Sequence, residues 1–334
     1  MKISIDKDHG HCLLEGDHIG FQIALKGLSA AELNRLLHGN GPASSWRPDG
    51  SNRKISADNA VAPAKATGSA VVHKLEDGDF ESTSGGPGQL IVDQHHNQPI
   101  SLLPQSLHLL LTQQWARSGI HSLHAAAILT PAGGILVIGP RGGGKSVLSL
   151  SALVAGHGVI SDDWILLGPG SDDQIQVERL RPFMMLRQSW AADQLRARLP
   201  NLIAAPVSKR PKQVIRLPVD SPQFPIGGTI DQIWLLKRPR SARRSQTSID
   251  PIPSASALAK LVEASMPVLF SRQFPIEHQA LMETSKLMLA KTRAMQVETG
   301  MDLVESPHAA WRRLLDDARQ ECDKLAFSNE KPDS

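Results

Sequence analysis

Residues 139–146, read as Gly139, Pro140, Arg141, Gly142, Gly143, Gly144, Lys145 and Ser146, carry the full G-x-x-x-x-G-K-S pattern. Those types at that spacing suit one task, which is to hold the phosphates of a nucleotide. Glycines permit dihedrals that a Cβ forbids, so backbone N–H groups can wrap around phosphate oxygens. Lys145 then reaches the β- and γ-phosphates as a point charge, and the Ser146 hydroxyl ligates a Mg²⁺ ion bridging them. Val147 opens the following helix, whose N-terminus adds positive potential. Seventeen and eighteen residues past Lys145 stand Asp162 and Asp163. Two adjacent carboxylates can divide labour, one accepting the proton of an attacking hydroxyl while the other holds the metal.

These residues need elements to position them. An apolar run over residues 135–138 predicts a strand entering the motif, and Val147, Leu148, Leu150, Leu153 and Val154 predict a helix leaving it, closing at Gly156. Residues 156–158 read as a turn, 159–161 as a strand, and the acidic pair as its carboxyl end, where ligands of open α/β sheets gather. So short a step from Lys145 to Asp162 suits kinases better than switch GTPases. Upstream, apolar runs over 122–129 and 134–138, joined by Thr-Pro-Ala-Gly, predict a hairpin into the motif. Downstream, strands are expected at 165–167, 175–177, 184–186, 214–217 and 230–236, and helices at 189–199, 255–263, 277–291 and 307–324. Residues 238–256 read as a Pro/Ser/Arg loop.

The first part of the chain is different in texture. Residues 2–25 alternate in short apolar runs broken by glycines, which predicts small antiparallel strands. Ser29 with Glu32 has capping-box spacing before a short helix, residues 40–69 read as a long loop, strands follow at 70–75 and 89–92, and a helix at about 104–118. The expected organisation is a small α+β N-terminal domain over 1–118, a catalytic α/β domain over 119–326, and a flexible tail over 327–334.

Bulk properties narrow the function classes. A net charge of +3 over 334 residues argues for neither nucleic acid nor an anionic membrane as main partner, and the absence of tyrosine removes the usual stacking platform for single strands. Two cysteines, Cys12 and Cys322, have no metal-ligand spacing and fit a reducing cytosol. No stretch reaches the ~18 apolar residues of a membrane span, and no export signal opens the chain, so a cytoplasmic location is expected. His95-His96 and His9-x-His11 lack a third ligand and read as surface residues. The basic residues of 237–244 read first as a solvated loop and second as a grip on an acidic leader peptide or the nucleotide, and Lys209, Arg210 and Lys212 are second-line candidates to close over phosphates.

Taken in order, His124, a hairpin, the 139–146 motif, a helix and Ser161-Asp162-Asp163 resemble the HPr kinase/phosphorylase catalytic domain and its relatives, which include lasso-peptide precursor kinases. His124 precedes Gly139 by fifteen residues, a spacing similar to the family's own. The resemblance implies an α/β fold with a P-loop kinase core of the HPr-kinase type, and ATP- and Mg²⁺-dependent phosphorylation of a serine hydroxyl on a peptide or protein. It implies Asp162 as general base, Asp163 as its supporting or metal-side partner, and His124 close to the phosphates or orienting Asp162. Residues 177–187 are loosely similar to a stretch holding a metal-binding Glu beside an Arg, which would make Glu178 a metal ligand with Arg181 and Arg187 near it. The N-terminal part differs from that of HPr kinases proper, and the layout is closer to lasso-peptide kinases, which act on a precursor's C-terminal serine. A small-molecule P-loop kinase and a nucleotide-binding regulatory protein stay open as alternatives, as does a homo-oligomer.

Overall fold

The computed structural model describes residues 2–6, 11–16, 21–26, 54–59, 70–74, 80–84, 89–91, 115, 119–140, 142–170, 174–180, 183–202, 204–206, 212–216, 221–237, 244–265 and 275–329. The chain divides into two compact units, one comprising Met1–Ser122 with Met266–Met282, the other Leu123–Ser265 with Glu283–Ser334.

In the first unit, β1 (Lys2–Asp6), β2 (His11–Gly16), β3 (Phe21–Lys26), β4 (Lys54–Asn59) and β7 (Gln89–Ile91) form one antiparallel sheet in that order, while β5 (Ala70–Lys74) and β6 (Phe80–Ser84) make a separate pair. The antiparallel strands expected over 2–25 are there. Strand β4 corrects the expectation of an unbroken loop over 40–69: Ile55 and Ala57 give too short an alternation to stand out among Ser, Asn and Asp. The helix expected after Ser29 lies outside the described residues, as does most of the one expected over 104–118.

The second unit is mixed α/β. After β8 (His121–Leu123) come β9 (Ala126–Thr130), β10 (Gly133–Ile138), α1 (Lys145–Val154), β11 (Gly158–Ser161), β12 (Ile165–Pro169), β13 (Ile175–Arg179), β14 (Phe183–Arg187), α2 (Trp190–Ala197), β15 (Ala204–Pro206), β16 (Lys212–Arg216), β17 (Gly227–Ile230), β18 (Gln232–Lys237), β19 (Ser248–Pro251) and α3 (Ser254–Ala264). Then α4 (Pro275–Lys291) leads to β20 (Arg293–Glu298), α5 (Asp302–Glu305) and α6 (Pro307–Asn329). The main sheet has the order β11-β9-β10-β18-β20-β19, with β10, β18 and β20 mutually parallel and β9 and β19 antiparallel to their neighbours.

Both faces of β10 are buried, which is why it reads as a continuous apolar run and not as an alternation. Val137 joins Leu148, Trp234, Met295, Val297 and Trp311 on one face, while Leu136 and Ile138 join Leu235, Ala257, Leu261 and Met288 on the other. Trp311 of α6 stacks on Trp234 at 5.5 Å, and its Nε1 donates to Ser151 Oγ of α1 at 2.9 Å, so α1 and α6 are clamped over the same sheet face. Ser189 caps α2 by accepting from the Ala192 N–H at 3.2 Å.

Three sequence expectations change. The run 122–129 is two strands, because the His124 N–H donates to the Ala264 carbonyl and turns the chain between β8 and β9. The run 230–236 splits at Asp231, whose carboxylate takes the Gly134 N–H at 2.8 Å and marks the corner where the chain passes from β17 to β18 in another sheet. The loop expected over 238–256 contains β19, and the helix expected to end near 324, with a tail fraying from 327, runs on through Asn329. Between Pro307 and Pro332 there is no glycine or proline to stop it.

Candidate functional site

The glycine-rich segment begins where β10 ends and finishes as α1 begins. Gly142 has φ 77° and Gly144 φ 99°, left-handed conformations in which an L side chain is strained, and these bend the chain back on itself while the Gly143 N–H donates to the Pro140 carbonyl at 2.9 Å. Gly144 is the N-cap of α1 and contributes no side-chain cap, and the first turn holds no acidic residue, so the positive end of the helix faces outward from the loop. Lys145 is buried at 7% exposure, and its Nζ donates to the Gly139 carbonyl at 2.7 Å, which folds the ammonium over the loop. Ser146 and Val147 follow in the first turn, both half-buried. Arg141 lies outside the described residues. A helix N-terminus without a side-chain cap, beside an ammonium folded over a glycine-rich turn, favours an anion.

The acidic pair arises one unit later. Strand β11 is antiparallel to β9, and β9 to β10, so β11 and β10 point the same way and end at the same sheet edge. Two inter-strand spacings put those ends about 10 Å apart. At the end of β11 the chain turns sharply: Ser161 Oγ donates to the Trp164 carbonyl at 3.1 Å and receives the Asp163 N–H at 3.4 Å. That turn separates the two carboxylates. Asp162 is buried at 3% exposure, whereas Asp163 is partly open.

His124 meets this turn. Its Nδ1 lies 3.1 Å from Asp163 Oδ1, an ion pair when the imidazole is protonated, although the alignment is outside hydrogen-bond geometry. Its ring packs against Trp164 at 5.1 Å and 55°. With the backbone fixed by Ala264, His124 is therefore held on three sides.

Glu178 is placed differently. It lies fully buried on β13, in a neighbouring sheet, opposite Leu166 of β12 and Gly227 of β17. That ladder reaches the acidic turn through the backbone, since the Leu180 N–H donates to the Trp164 carbonyl at 3.3 Å. Arg187 is exposed on β14, Arg181 lies outside the described residues, and buried Arg179 instead gives its Nη1 to the Phe224 carbonyl at 3.1 Å. Among the described residues no three His, Cys, Asp or Glu side chains converge as a metal site.

No family model and no curated protein matches the chain. Among solved structures it is similar to the Hpr(Ser) kinase/phosphatase from Coxiella burnetii, at 13% identity over 61% of this chain and 98% of that one, with a TM-score of 0.29.

Sequence reasoning missed residues on both flanks of the glycine-rich loop. Trp164 follows the acidic pair directly and was a visible aromatic at a predicted strand end. Thr299, just past β20, gave no signal: its Oγ1 lies 3.4 Å from where a Cβ on Gly144 would stand, a contact across 155 residues of sequence. Beside it Arg244 pairs with Glu298 at 2.6 Å. Among the described residues no helix is long and apolar enough to cross a membrane.

Proposed function

We propose that this protein is an ATP- and Mg²⁺-dependent kinase that phosphorylates a serine hydroxyl on a peptide or protein, in the manner of the HPr-kinase relatives it resembles. The observation that carries the reading is the shared sheet edge: a loop with two left-handed glycines and a folded-over lysine ends at the same edge as a turn with one buried and one partly exposed carboxylate. Strand ends two inter-strand spacings apart bring the loop and the turn to one edge, where a phosphoryl group and an attacking hydroxyl would meet.

The residues fit a nucleoside triphosphate. The N–H groups at the start of α1 and the Lys145 ammonium would hold the β- and γ-phosphates, the lysine exchanging its Gly139 carbonyl for phosphate oxygens. Ser146 and Asp163 would be the oxygen donors for Mg²⁺, which when bound would neutralise charge on the phosphates. Glu178, buried on its own ladder, is a metal ligand only if that ladder opens toward the loop.

Asp162 accepts the proton of the serine hydroxyl as the hydroxyl oxygen bonds the γ-phosphorus, and the β–γ bridging oxygen departs with its electron pair on ADP. His124 steadies Asp163, and Trp164 steadies His124, which keeps the open carboxylate fixed while its buried neighbour takes the proton. The acceptor that the layout favours is the C-terminal serine of a precursor peptide.

The test uses labelled ATP with a library of serine-ended peptides and, in parallel, a metabolite panel. Label on peptides supports the reading, and label on metabolites alone replaces it with a small-molecule kinase. Asp162→Asn is expected to keep nucleotide binding and lose about 10²–10⁴-fold in turnover, whereas Lys145→Ala loses binding. Unchanged turnover in Asp162→Asn would end the general-base assignment.

A further inference from the structure

Building on the kinase reading, we propose that β14, α2 and β16 carry a docking surface for an acidic segment of the peptide substrate, one in which an apolar residue stands between two carboxylates and the acceptor serine lies several residues away. Charge is unevenly divided along the chain. From Arg179 to Arg216 there are nine lysines and arginines against a single acidic residue, Asp193, so these 38 residues carry +8 while the whole chain carries +3 and the remainder is net acidic. Strands β14, β15 and β16 hold no carboxylate, and their register sets Arg187 opposite Lys212. Like charges directly opposite destabilise a sheet, and an acidic partner relieves them.

The helix in this lobe presents an open stripe. Trp190, Gln194 and Arg198 are exposed at i, i+4 and i+8, which sets them along one side of α2, with exposed Arg187 just before the Ser189 cap. Trp190, at 57%, is the most exposed large apolar side chain among the described residues, while Ala192 and Leu195 hold the other side of the helix in the core with Met184, Leu186 and Ile215. Neither Arg187 nor Arg198 meets a carboxylate among the described residues. Arg198 Nη2 donates to the Glu305 carbonyl at 3.4 Å, which leaves its charge uncompensated. An extended segment lying lengthwise on α2 can set one carboxylate on Arg187, an apolar side chain on Trp190 and a second carboxylate on Arg198 about four residues further on. Nucleic acid fits less well, because its evenly charged backbone would run past Asp193, exposed in the same turn as Trp190. The lobe starts at the acidic turn, where the Leu180 N–H meets the Trp164 carbonyl, and the chain from Leu180 to Arg187 spans at most about 25 Å. A substrate held on α2 therefore reaches Asp162 with about eight extended residues.

The test measures binding by fluorescence anisotropy and phosphorylation with labelled ATP. Its probes are a serine-ended peptide with two glutamates flanking a leucine, a twin with glutamine in place of both glutamates, and a single-stranded oligonucleotide of matched length. The wild type binds the acidic peptide about tenfold or more tighter than its twin, and Arg187→Glu and Arg198→Glu each weaken it about fivefold or more. Arg312→Glu, the same charge change at an exposed position of α6, stays within about twofold. Trp190→Ala weakens both peptides, and all three docking variants raise KM for the acidic peptide with kcat kept. Arg187→Glu keeps or raises the urea midpoint, because it removes the like-charge pair with Lys212, so its lost binding is not lost folding. Equal binding of the two peptides, a loss in Arg312→Glu as large as in Arg187→Glu, or tighter binding of the oligonucleotide than of the acidic peptide overturns the proposal. Failure of the kinase reading looks different: no peptide is labelled, while the preference for the acidic peptide and its loss in the docking variants remain.

Discussion

Acidification strikes first at a residue three positions before His124. His121 is buried at 2% exposure, and burial lowers its pKa from 6.5 to about 4. The unfolded chain therefore takes up a proton near pH 6.5 that the folded chain refuses until about pH 4, so the unfolded state binds more protons across that window and stability rises with pH through it. The gap between the two pKa values is worth about 3 kcal/mol in full, of which about 2 kcal/mol is lost between about pH 7 and pH 5. His157 has the same sign, lowered by burial and then by His308. Urea unfolding of the wild type and of His121→Leu, each at both pH values, isolates the effect. The wild type should lose about 2 kcal/mol more than the variant on going to the lower pH, with His157 contributing equally to both. Parallel losses in the two proteins would refute the assignment, since they would mean that His121 titrates alike folded and unfolded.

Two other predictions follow from packing in the second unit. Ser151→Ala strands the buried Trp311 Nε1 and should cost about 1–3 kcal/mol, read as a lower urea midpoint with altered tryptophan emission; an unchanged midpoint would mean that the Trp311 bond adds nothing. Gly300→Ala places a Cβ against the Gln246 carbonyl carbon and the Thr247 nitrogen, both backbone atoms that cannot swing aside, so it should cost about 1–3 kcal/mol and lower Tm. A Gly300→Ala protein as stable as the wild type would contradict the close approach under Thr299.

What could be read from the sequence was whatever the chain specifies locally. The loop at 139–146 needs its glycines where the backbone goes left-handed, and a strand before it and a helix after it leave apolar patterns that show. The acidic pair was legible for the same reason, since one helix and one turn fix how far it can stray. Strand boundaries at His124 and Asp231 were hidden, because one or two polar residues between buried runs do not tell that the chain changes sheets there. Strand β20 was hidden by following α4 with a single residue between them, and β19 by carrying one buried side chain, Ile249, beside a proline.

The flank opposite the acidic pair was hidden more deeply. Nothing in Glu298, Thr299 and Gly300 shows that they lie beside the glycine-rich loop, because their neighbour at Gly144 is brought to them by the parallel order β10-β18-β20 and by no feature of their own. The division has a physical consequence for the site. The candidate chemical residues, from Gly139 to Asp163, lie on one continuous stretch and can be recognised as a motif. The segment beside Gly144 is assembled by topology, on contacts that Asp302 and Arg313 hold together. Changes at Gly300 should therefore alter stability, and changes at Asp162 turnover, with little crossing between the two.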